Sequence, residues 1–244
     1  MEAHTVRVTR RSLRTLTSLL FGVLLLSVVM VLVIAHRQNC DSIQQDVNLM
    51  QREWQQRQEQ MLIDVRDYAN WGEGWKHLHL TVNKVWAWDE ENFGAGLYKE
   101  YHYDGVFVVD GSGKTRYALI NGKLSQASLE SWLGGQAAML LAAARQQPEQ
   151  GISRNIRINE QPAMVVAAPI TPGKVPDLPT IPGPASVMVF INILTPAITL
   201  QLGKSLNVIA PRVATDGNDA LEEPRLAVPV IPAGSLVLRW HSNN

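Results

Sequence analysis

The longest uninterrupted apolar stretch of the chain runs from Thr15 to Ala35 and contains no charged side chain. As a helix it would span roughly 31 Å, which is about the thickness of the hydrocarbon core of a bilayer. Secretory signal peptides have shorter apolar cores followed by a small-x-small cleavage site. The residues that end and follow this run, IAHRQNC, offer no such site. The pattern therefore predicts an uncleaved membrane-spanning helix over residues 15–35.

Basic side chains are unevenly distributed around this run. Four arginines lie within residues 1–14, whereas Arg37 stands alone just after the run. Because an excess of basic residues marks the cytoplasmic side of a membrane helix, residues 1–14 are predicted to be a cytoplasmic tail. Everything from about residue 36 onward is then expected to lie outside the inner membrane.

A polar, glutamine-rich stretch without glycine or proline follows the apolar run and predicts a juxtamembrane helix over residues 36–70, ended by Gly72 and Gly74. A narrow apolar stripe with three- and four-residue spacing suits pairing with a second copy of the helix, or packing on the domain that follows. Arg57 and Asp64 interrupt the stripe and argue against a long regular coiled coil. The stripe consists of Ile43, Val47, Met50, Trp54, Met61, Val65 and Tyr68.

Beyond residue 71 the helical periodicity gives way to short alternating runs. An irregular aromatic segment over residues 71–104 is followed by strands at Val106–Val109 and Thr115–Leu119, joined by a tight turn at Asp110–Gly113. A helical stretch with a weak point at Gly134–Gly135 comes next.

The second half of this region predicts further antiparallel elements. A hairpin turns near Glu160–Pro162, a proline-rich loop covers residues 169–184, and the run SVMVFINIL is a buried strand. A short helix follows, with Thr195 as N-cap and Pro196 at its first position. The runs RLAVPVI and SLVLRW predict two last strands.

Together these elements predict an α+β fold. The membrane helix and the juxtamembrane helix lead into a domain over residues 71–244, built on an antiparallel sheet of five or six strands with flanking helices. Consecutive hairpins, without a helix between each pair of strands, argue against a doubly wound parallel sheet.

Charge and cysteine content narrow the possible functions. Lysine plus arginine and aspartate plus glutamate are equal at 22 each, and no basic stripe is visible, so nucleic acid is not an expected partner. Cys40 is the single cysteine and excludes an intramolecular disulfide. It is either a free thiol or a cross-link between two copies.

No set of residues typical of catalysis is present. The patterns G-x-S-x-G, G-x-x-x-x-G-K-[ST] and H-E-x-x-H do not occur, so no enzymatic activity is predicted for this chain. The sequence DGSGK resembles a phosphate-binding loop but lacks its spacing and fits a hairpin turn. His77 and His79 have no cysteine nearby, and neither a metal site nor a cofactor is predicted.

Aromatic residues are concentrated between residues 71 and 104, which contain four of the seven tryptophans and three of the five tyrosines. Aromatic walls with a few polar groups are typical of small-molecule pockets, but they also build cores. Both interpretations stay open, and Trp71 is expected to be mostly buried where the long helix meets the sheet. The candidate ligand-binding residues are Asp67, Trp71, Trp75, Trp88, Asn92, Tyr101 and Tyr103.

Several short motifs occur in a characteristic order. DYANW ends the long helix and is followed by EEN, GVFVVDGSGKTRYA, VVAAPI and SVMVFINILTPAITLQL. Over roughly residues 45–240 this order resembles the CHASE4 family of extracytoplasmic sensory domains. Gly72 departs from it, since the family commonly has an acidic residue directly after the tryptophan. The matching positions are Asp67, Tyr68, Trp71, Asn92, Asp110, Gly113 and Tyr117.

The resemblance implies a PAS- or Cache-like fold and a sensory input domain on the periplasmic side of a bacterial inner membrane. It implies detection of a small molecule, as yet unidentified, and control of cytoplasmic cyclic-di-GMP modules of the GGDEF or EAL type, following a second membrane helix beyond residue 244. A homodimer through residues 37–70 is expected. The alternative is a membrane-anchored, non-enzymatic module that acts through a partner protein.

Overall fold

The computed structural model describes residues 2–159, 161–175, 177–205, 209–214, 225–230 and 235–241. Its first element is one continuous helix, α1, Glu2–Ala69, so the helices predicted over residues 15–35 and 36–70 are confirmed and are joined. No proline interrupts this stretch, which permits the backbone hydrogen bonds to continue throughout. The apolar part of α1 has a mean hydropathy of 2.9 and is not buried against the rest of the structure. It is long and apolar enough to cross a membrane.

The predicted antiparallel sheet is confirmed and has six strands in the order β3-β2-β1-β6-β5-β4. Each paired neighbour runs antiparallel. Both predicted hairpins are present, with β1 paired to β2 and β4 paired to β5. The strands are β1 Gly105–Val109, β2 Thr115–Ile120, β3 Lys123–Leu124, β4 Ile152–Ile158, β5 Gln161–Pro169 and β6 Val187–Ile193.

The segment over residues 71–104 was expected to be irregular, and this expectation is wrong, because it consists largely of short helices. Two of them are π-helical, with the wider turn that such helices have. Each is too short for an amphipathic repeat to be visible in the sequence. They are α2 Gly72–Gly74, a first π-helix Trp75–Leu80, a second π-helix Val85–Asp89, and α3 Gly96–Lys99.

The sheet separates two hydrophobic cores because alternate side chains point to opposite faces. On one face, Val106 and Val108 of β1 pack with α1 and the aromatic segment. On the other face, Phe107 and Val109 pack under the helices α4 Leu129–Leu133 and α5 Gln136–Gln146. The predicted weak point between these helices is confirmed, since Gly134 has a positive φ of 55° that favours glycine.

The apolar stripe of α1 packs on the domain of its own chain. Met50, Trp54, Met61 and Val65 are buried in the core formed with the sheet, and α1 contacts β4, β5 and β6. Pairing of two copies through residues 37–70 stays a prediction. Because Met50, Trp54 and Met61 are already covered, a second helix would have to meet a different face.

The last part of the described chain forms a second, three-stranded sheet in the order β7-β9-β8. The two predicted last strands are present, but they belong to this sheet and do not extend the first one. The sequence interpretation missed β7, which contains Pro211, a residue that argues against a strand. The elements are helix α6 Pro196–Ser205 and strands β7 Ile209–Ala214, β8 Arg225–Pro229 and β9 Ser235–His241.

Candidate functional site

The C-terminal end of α1 docks on the six-stranded sheet through Tyr68. Its ring lies edge-on to Phe93 of the aromatic segment at 5.1 Å and to Phe190 of β6 at 5.8 Å. The helix ends at Ala69, before the two glycines that were expected to end it, and the Ala69 carbonyl accepts a hydrogen bond from the Thr171 amide at 2.9 Å. The end of the helix is therefore fastened both to the sheet and to the proline-rich loop.

Trp71 and Trp75 contribute to an aromatic cluster next to this joint. Trp71 lies 5.2 Å from Trp86 between ring centres, and the Trp75 indole N–H donates to the Pro179 carbonyl at 2.8 Å. Trp75 is buried, but 36% of Trp71 is exposed, so the expectation that Trp71 is mostly buried is wrong. Trp71 lies in extended backbone between α1 and α2.

Gly72 stands where the CHASE4 pattern commonly has an acidic residue, and the proline-rich loop packs closely against it. A Cβ at this position would lie 2.6 Å from Cγ2 of Val175 in the proline-rich loop. A side chain at position 72 would therefore force the exposed Val175 side chain to shift.

Asn92 and Tyr117 hold the aromatic segment in place. The Asn92 side-chain amide donates to the Trp86 carbonyl at 2.8 Å, and the Tyr117 hydroxyl donates to the Phe93 carbonyl at 2.7 Å. Trp88 is half-buried and packs against the same core. In the structure these residues make packing contacts, and ligand binding by Asn92 and Trp88 stays a prediction.

Asp67 is exposed and lies in a separate surface cleft of about 390 Å³. Lys174 of the proline-rich loop and Glu149 also line this cleft. The predicted site residues therefore do not converge on one pocket.

Tyr101 and Tyr103 do line a cavity with α1, which we call the joint pocket. It has a volume of about 200 Å³. Spacing of three and four residues places its helical members on one side of α1. The segment after α3 and strand β6 supply the rest. The lining residues are Arg57, Gln60, Met61, Asp64, Glu100, Tyr101, His102, Tyr103 and Asn192.

The carboxylate of Asp64 connects α1 to the segment after α3. It accepts hydrogen bonds from the Tyr103 hydroxyl and, at 2.8 Å, from the Gln60 side-chain amide. Burial, together with the nearby Asp64 carboxylate, raises the pKa of Tyr103 far above its ordinary value, so the phenol stays protonated as a donor. Burial lowers the pKa of Arg57 from its usual value.

Asn192 forms the floor of the joint pocket from β6 and is fully buried. Its Nδ2 donates to the His102 carbonyl at 2.5 Å, and His102 has a positive φ of 60°, which is uncommon outside glycine. Its Oδ1 is buried and has no hydrogen-bond partner among the residues that the structure describes.

Sequence reasoning did not assign Arg57, Asp64 and Asn192 to a site. The available signal was that Arg57 and Asp64 interrupt an otherwise apolar stripe, and a charged residue on a buried stripe points to a polar partner. Asn192, in the middle of a buried strand, carries the same signal.

The remaining candidate chemistry is accounted for by local structure. Asp110 Oδ1 accepts hydrogen bonds from the Ser112 and Lys114 amides at 2.9 and 3.0 Å, as expected of the hairpin turn. Within the described residues, no group of three or more histidine, cysteine, aspartate or glutamate side chains is placed to hold a metal ion.

The described chain is a helix that is long and apolar enough to span a membrane and that continues into an α+β domain with two hydrophobic cores. The model of the CHASE4 domain family matches residues 54–208, which is more than half of the chain and includes the whole joint pocket. The chain therefore belongs to the CHASE4 family, whose members are non-catalytic, extracytoplasmic sensory domains. No curated protein sequence matches it.

Proposed function

We propose that the chain is the sensory input region of a membrane-bound signalling protein in a bacterial inner membrane, with the residues from about 36 onward in the periplasm. It detects a small molecule and regulates cyclic-di-GMP turnover by cytoplasmic GGDEF or EAL modules outside this chain. Family membership supports a sensory role, and the arginines on the N-terminal side of the apolar run support the orientation.

The observation that carries this proposal is the continuity of α1. One helix connects the apolar segment to Met61 and Val65 in the core, without a break at which motion would be lost. A ligand that favours one packing of the sheet against α1 would therefore bias the position of the membrane segment.

A small-molecule signal is favoured over a purely structural module by the joint pocket. Trp75 and Trp86 are part of the packed core, and Trp71 contacts Trp86 at its exposed edge, an arrangement that by itself would suit a module without ligand. The cavity beside Tyr101 and Tyr103 is lined by charged and amide groups and lies against α1, where binding would be coupled to the helix.

A change of helical phase tests the proposed transmission. One, two or three alanines inserted after residue 38 in the native gene rotate the membrane segment relative to the domain by about 100° each. Cyclic-di-GMP in the native cells is expected to change on gene deletion and to vary with the number of inserted residues. The same insertions in the exposed loop after residue 182 are the control and should have little effect. Equal cyclic-di-GMP in wild-type, deletion and insertion strains would contradict the proposal.

The homodimer proposed for residues 37–70 is tested through Cys40, the single cysteine. Oxidation in membranes should yield a disulfide-linked pair. Leu49 and Ile63 are exposed on α1, so Leu49→Glu is expected to weaken cross-linking, whereas the matched change Leu200→Glu in α6 should not. A monomer mass under every oxidising condition would contradict pairing of two copies near the membrane.

A further inference from the structure

The joint pocket is small. Its volume of about 200 Å³ equals the share of roughly seven water molecules, at about 30 Å³ each. Pockets for drug-sized ligands begin at about 300 Å³. The occupant must therefore be a compact molecule, such as an amino acid with a short side chain.

The pocket contains the positively charged side chain of Arg57, which no described carboxylate contacts as an ion pair. The Arg57 guanidinium makes no ion pair or hydrogen bond within the part of the chain that the structure describes. It is half-buried, and removal from water lowers its pKa. A partly desolvated guanidinium favours a carboxylate, which it can hold through two parallel hydrogen bonds.

The pocket also contains hydrogen-bond acceptors that a ligand with N–H donors could satisfy. Asn192 Oδ1 is fully buried and accepts no hydrogen bond from the described residues, which is costly for a buried polar atom. The Asp64 carboxylate accepts one hydrogen bond at each oxygen and retains further capacity, and Glu100 adds a second carboxylate. An ammonium group supplies three donors and a positive charge.

The balance of charge decides between ligand classes. The lining has the positive charge of Arg57 against the negative charges of Asp64 and Glu100. A phosphate or a dicarboxylate would face two carboxylates. A simple amine would leave Arg57 without an anion in direct contact, and a simple carboxylic acid would leave Asn192 Oδ1 without a donor. A zwitterion meets both requirements.

We propose that the joint pocket binds a small α-amino acid, with its carboxylate on Arg57 and its ammonium group on Asn192 Oδ1 and the carboxylates of Asp64 and Glu100. This inference rests on the proposed sensory function and names the class of its signal. The bound molecule would connect Arg57 and Asp64 of α1 to Asn192 of β6, so occupancy would favour one packing of the helix on the sheet.

Three matched probes test the assignment on the full chain in detergent micelles. L-alanine carries both charged groups, ethylamine lacks the carboxylate and propionate lacks the ammonium group; glycine and L-serine extend the amino-acid panel. At tenfold excess over its Kd, at least one amino acid of the panel should raise Tm by about 3–6 °C. Ethylamine and propionate should leave Tm unchanged. This comparison uses only the wild-type chain, so it tests the ligand class even if a substitution prevents folding.

A pair of arginine substitutions locates the site. By calorimetry, Arg57→Gln should weaken amino-acid binding at least about tenfold, because a charge-assisted contact is lost. Arg116→Gln is the matched control, since Arg116 lies in a separate groove of about 870 Å³ with Lys84 and Lys114, and its Kd should equal that of wild type. The proposal is overturned if no amino acid of the panel shifts Tm, if ethylamine or propionate matches it, or if Arg57→Gln binds as wild type does.

The two proposals fail in different ways. Absence of amino-acid binding, with cyclic-di-GMP still dependent on the phase of α1, would reject the joint pocket and leave the sensory role. Amino-acid binding that depends on Arg57, with cyclic-di-GMP unchanged by gene deletion, would keep the site and reject the cyclic-di-GMP output.

Discussion

At the scale of single residues, a few side-chain hydrogen bonds keep the aromatic segment and its neighbours in register. Tyr117 reaches from β2 to the Phe93 carbonyl, and His79 of the first π-helix lies beside Ser186, just before β6. His79 Nδ1 accepts a hydrogen bond from the Ser186 amide at 3.3 Å, which requires an unprotonated nitrogen. Both contacts are inside or at the edge of the core, where an unpaired polar group is costly.

Removing the Tyr117 hydroxyl should destabilise the fold without altering its shape. Tyr117→Phe leaves the buried Phe93 carbonyl without its donor, at a cost of about 1–3 kcal/mol. In a domain of this size each kcal/mol corresponds to a fall in Tm of about 2–4 °C. Tyr98→Phe is the control, because Tyr98 is 36% exposed, and should leave Tm nearly unchanged. Equal melting of the two variants in thermal unfolding would contradict the role given to Tyr117.

His79 should make stability depend on pH. Burial lowers its pKa below the ordinary value of 6.5, so as pH falls below about 6.5 the unfolded chain takes up a proton before the folded chain does. The free energy of unfolding is therefore expected to fall with falling pH in that range, and urea titrations of His79→Gln should show a weaker dependence. Ser186→Ala, which keeps the imidazole, should retain the dependence. An unchanged slope in His79→Gln would refute the prediction.

The polar residues of the joint pocket could be recognised as unusual from the sequence, but not assembled. Asp64 and Tyr103 are 39 positions apart, and Asn192 is 90 positions from His102. The pattern of a single sequence does not show which distant positions come into contact in the fold. The concentration of aromatic residues over residues 71–104, in contrast, is local and visible in the sequence. The predicted ligand site therefore included Tyr101 and Tyr103, but grouped them with Trp71, Trp75 and Asn92, which do not line the joint pocket.

At the scale of elements, α1 has two unlike faces over the stretch that meets the domain. One face carries Met61 and Val65, which are buried on the sheet, and the other carries Ile63, which is 46% exposed. The periodic stripe predicted this burial because helix and strand periodicities in the sequence are strong for long elements. It failed for the short π-helices and for β7, whose proline masks the strand.

The two faces of α1 can be compared directly by alanine substitution. Met61→Ala creates a cavity under the sheet and should cost about 2–5 kcal/mol. Ile63→Ala changes an exposed position on the same turn and should cost less than about 0.5 kcal/mol. Thermal unfolding of both variants in detergent measures the difference. If Ile63→Ala proved the more damaging, the face of α1 assigned to the sheet would be wrong.

In the molecule as a whole, one continuous helix joins an apolar segment that is long enough to cross a membrane to the sheet of a CHASE4 domain. The chain's neutral overall charge predicts no orientation, whereas the excess of arginines on the N-terminal side of the apolar run predicts that residues 1–14 are cytoplasmic. The proposed topology places the domain in the periplasm and residues 1–14 in the cytoplasm, so that α1 would connect a periplasmic signal to the cytoplasmic side.

Labelling of single cysteines in intact cells tests this claim most directly. Cys40 is the only cysteine, so Cys40→Ser gives a background without thiols. Lys123→Cys, at an exposed position of β3, and Arg7→Cys, in the tail, are each introduced into it and exposed to a membrane-impermeant maleimide. The account predicts labelling of the Lys123→Cys protein in intact cells and of the Arg7→Cys protein only after lysis. The reverse pattern, or labelling of both only after lysis, would contradict it.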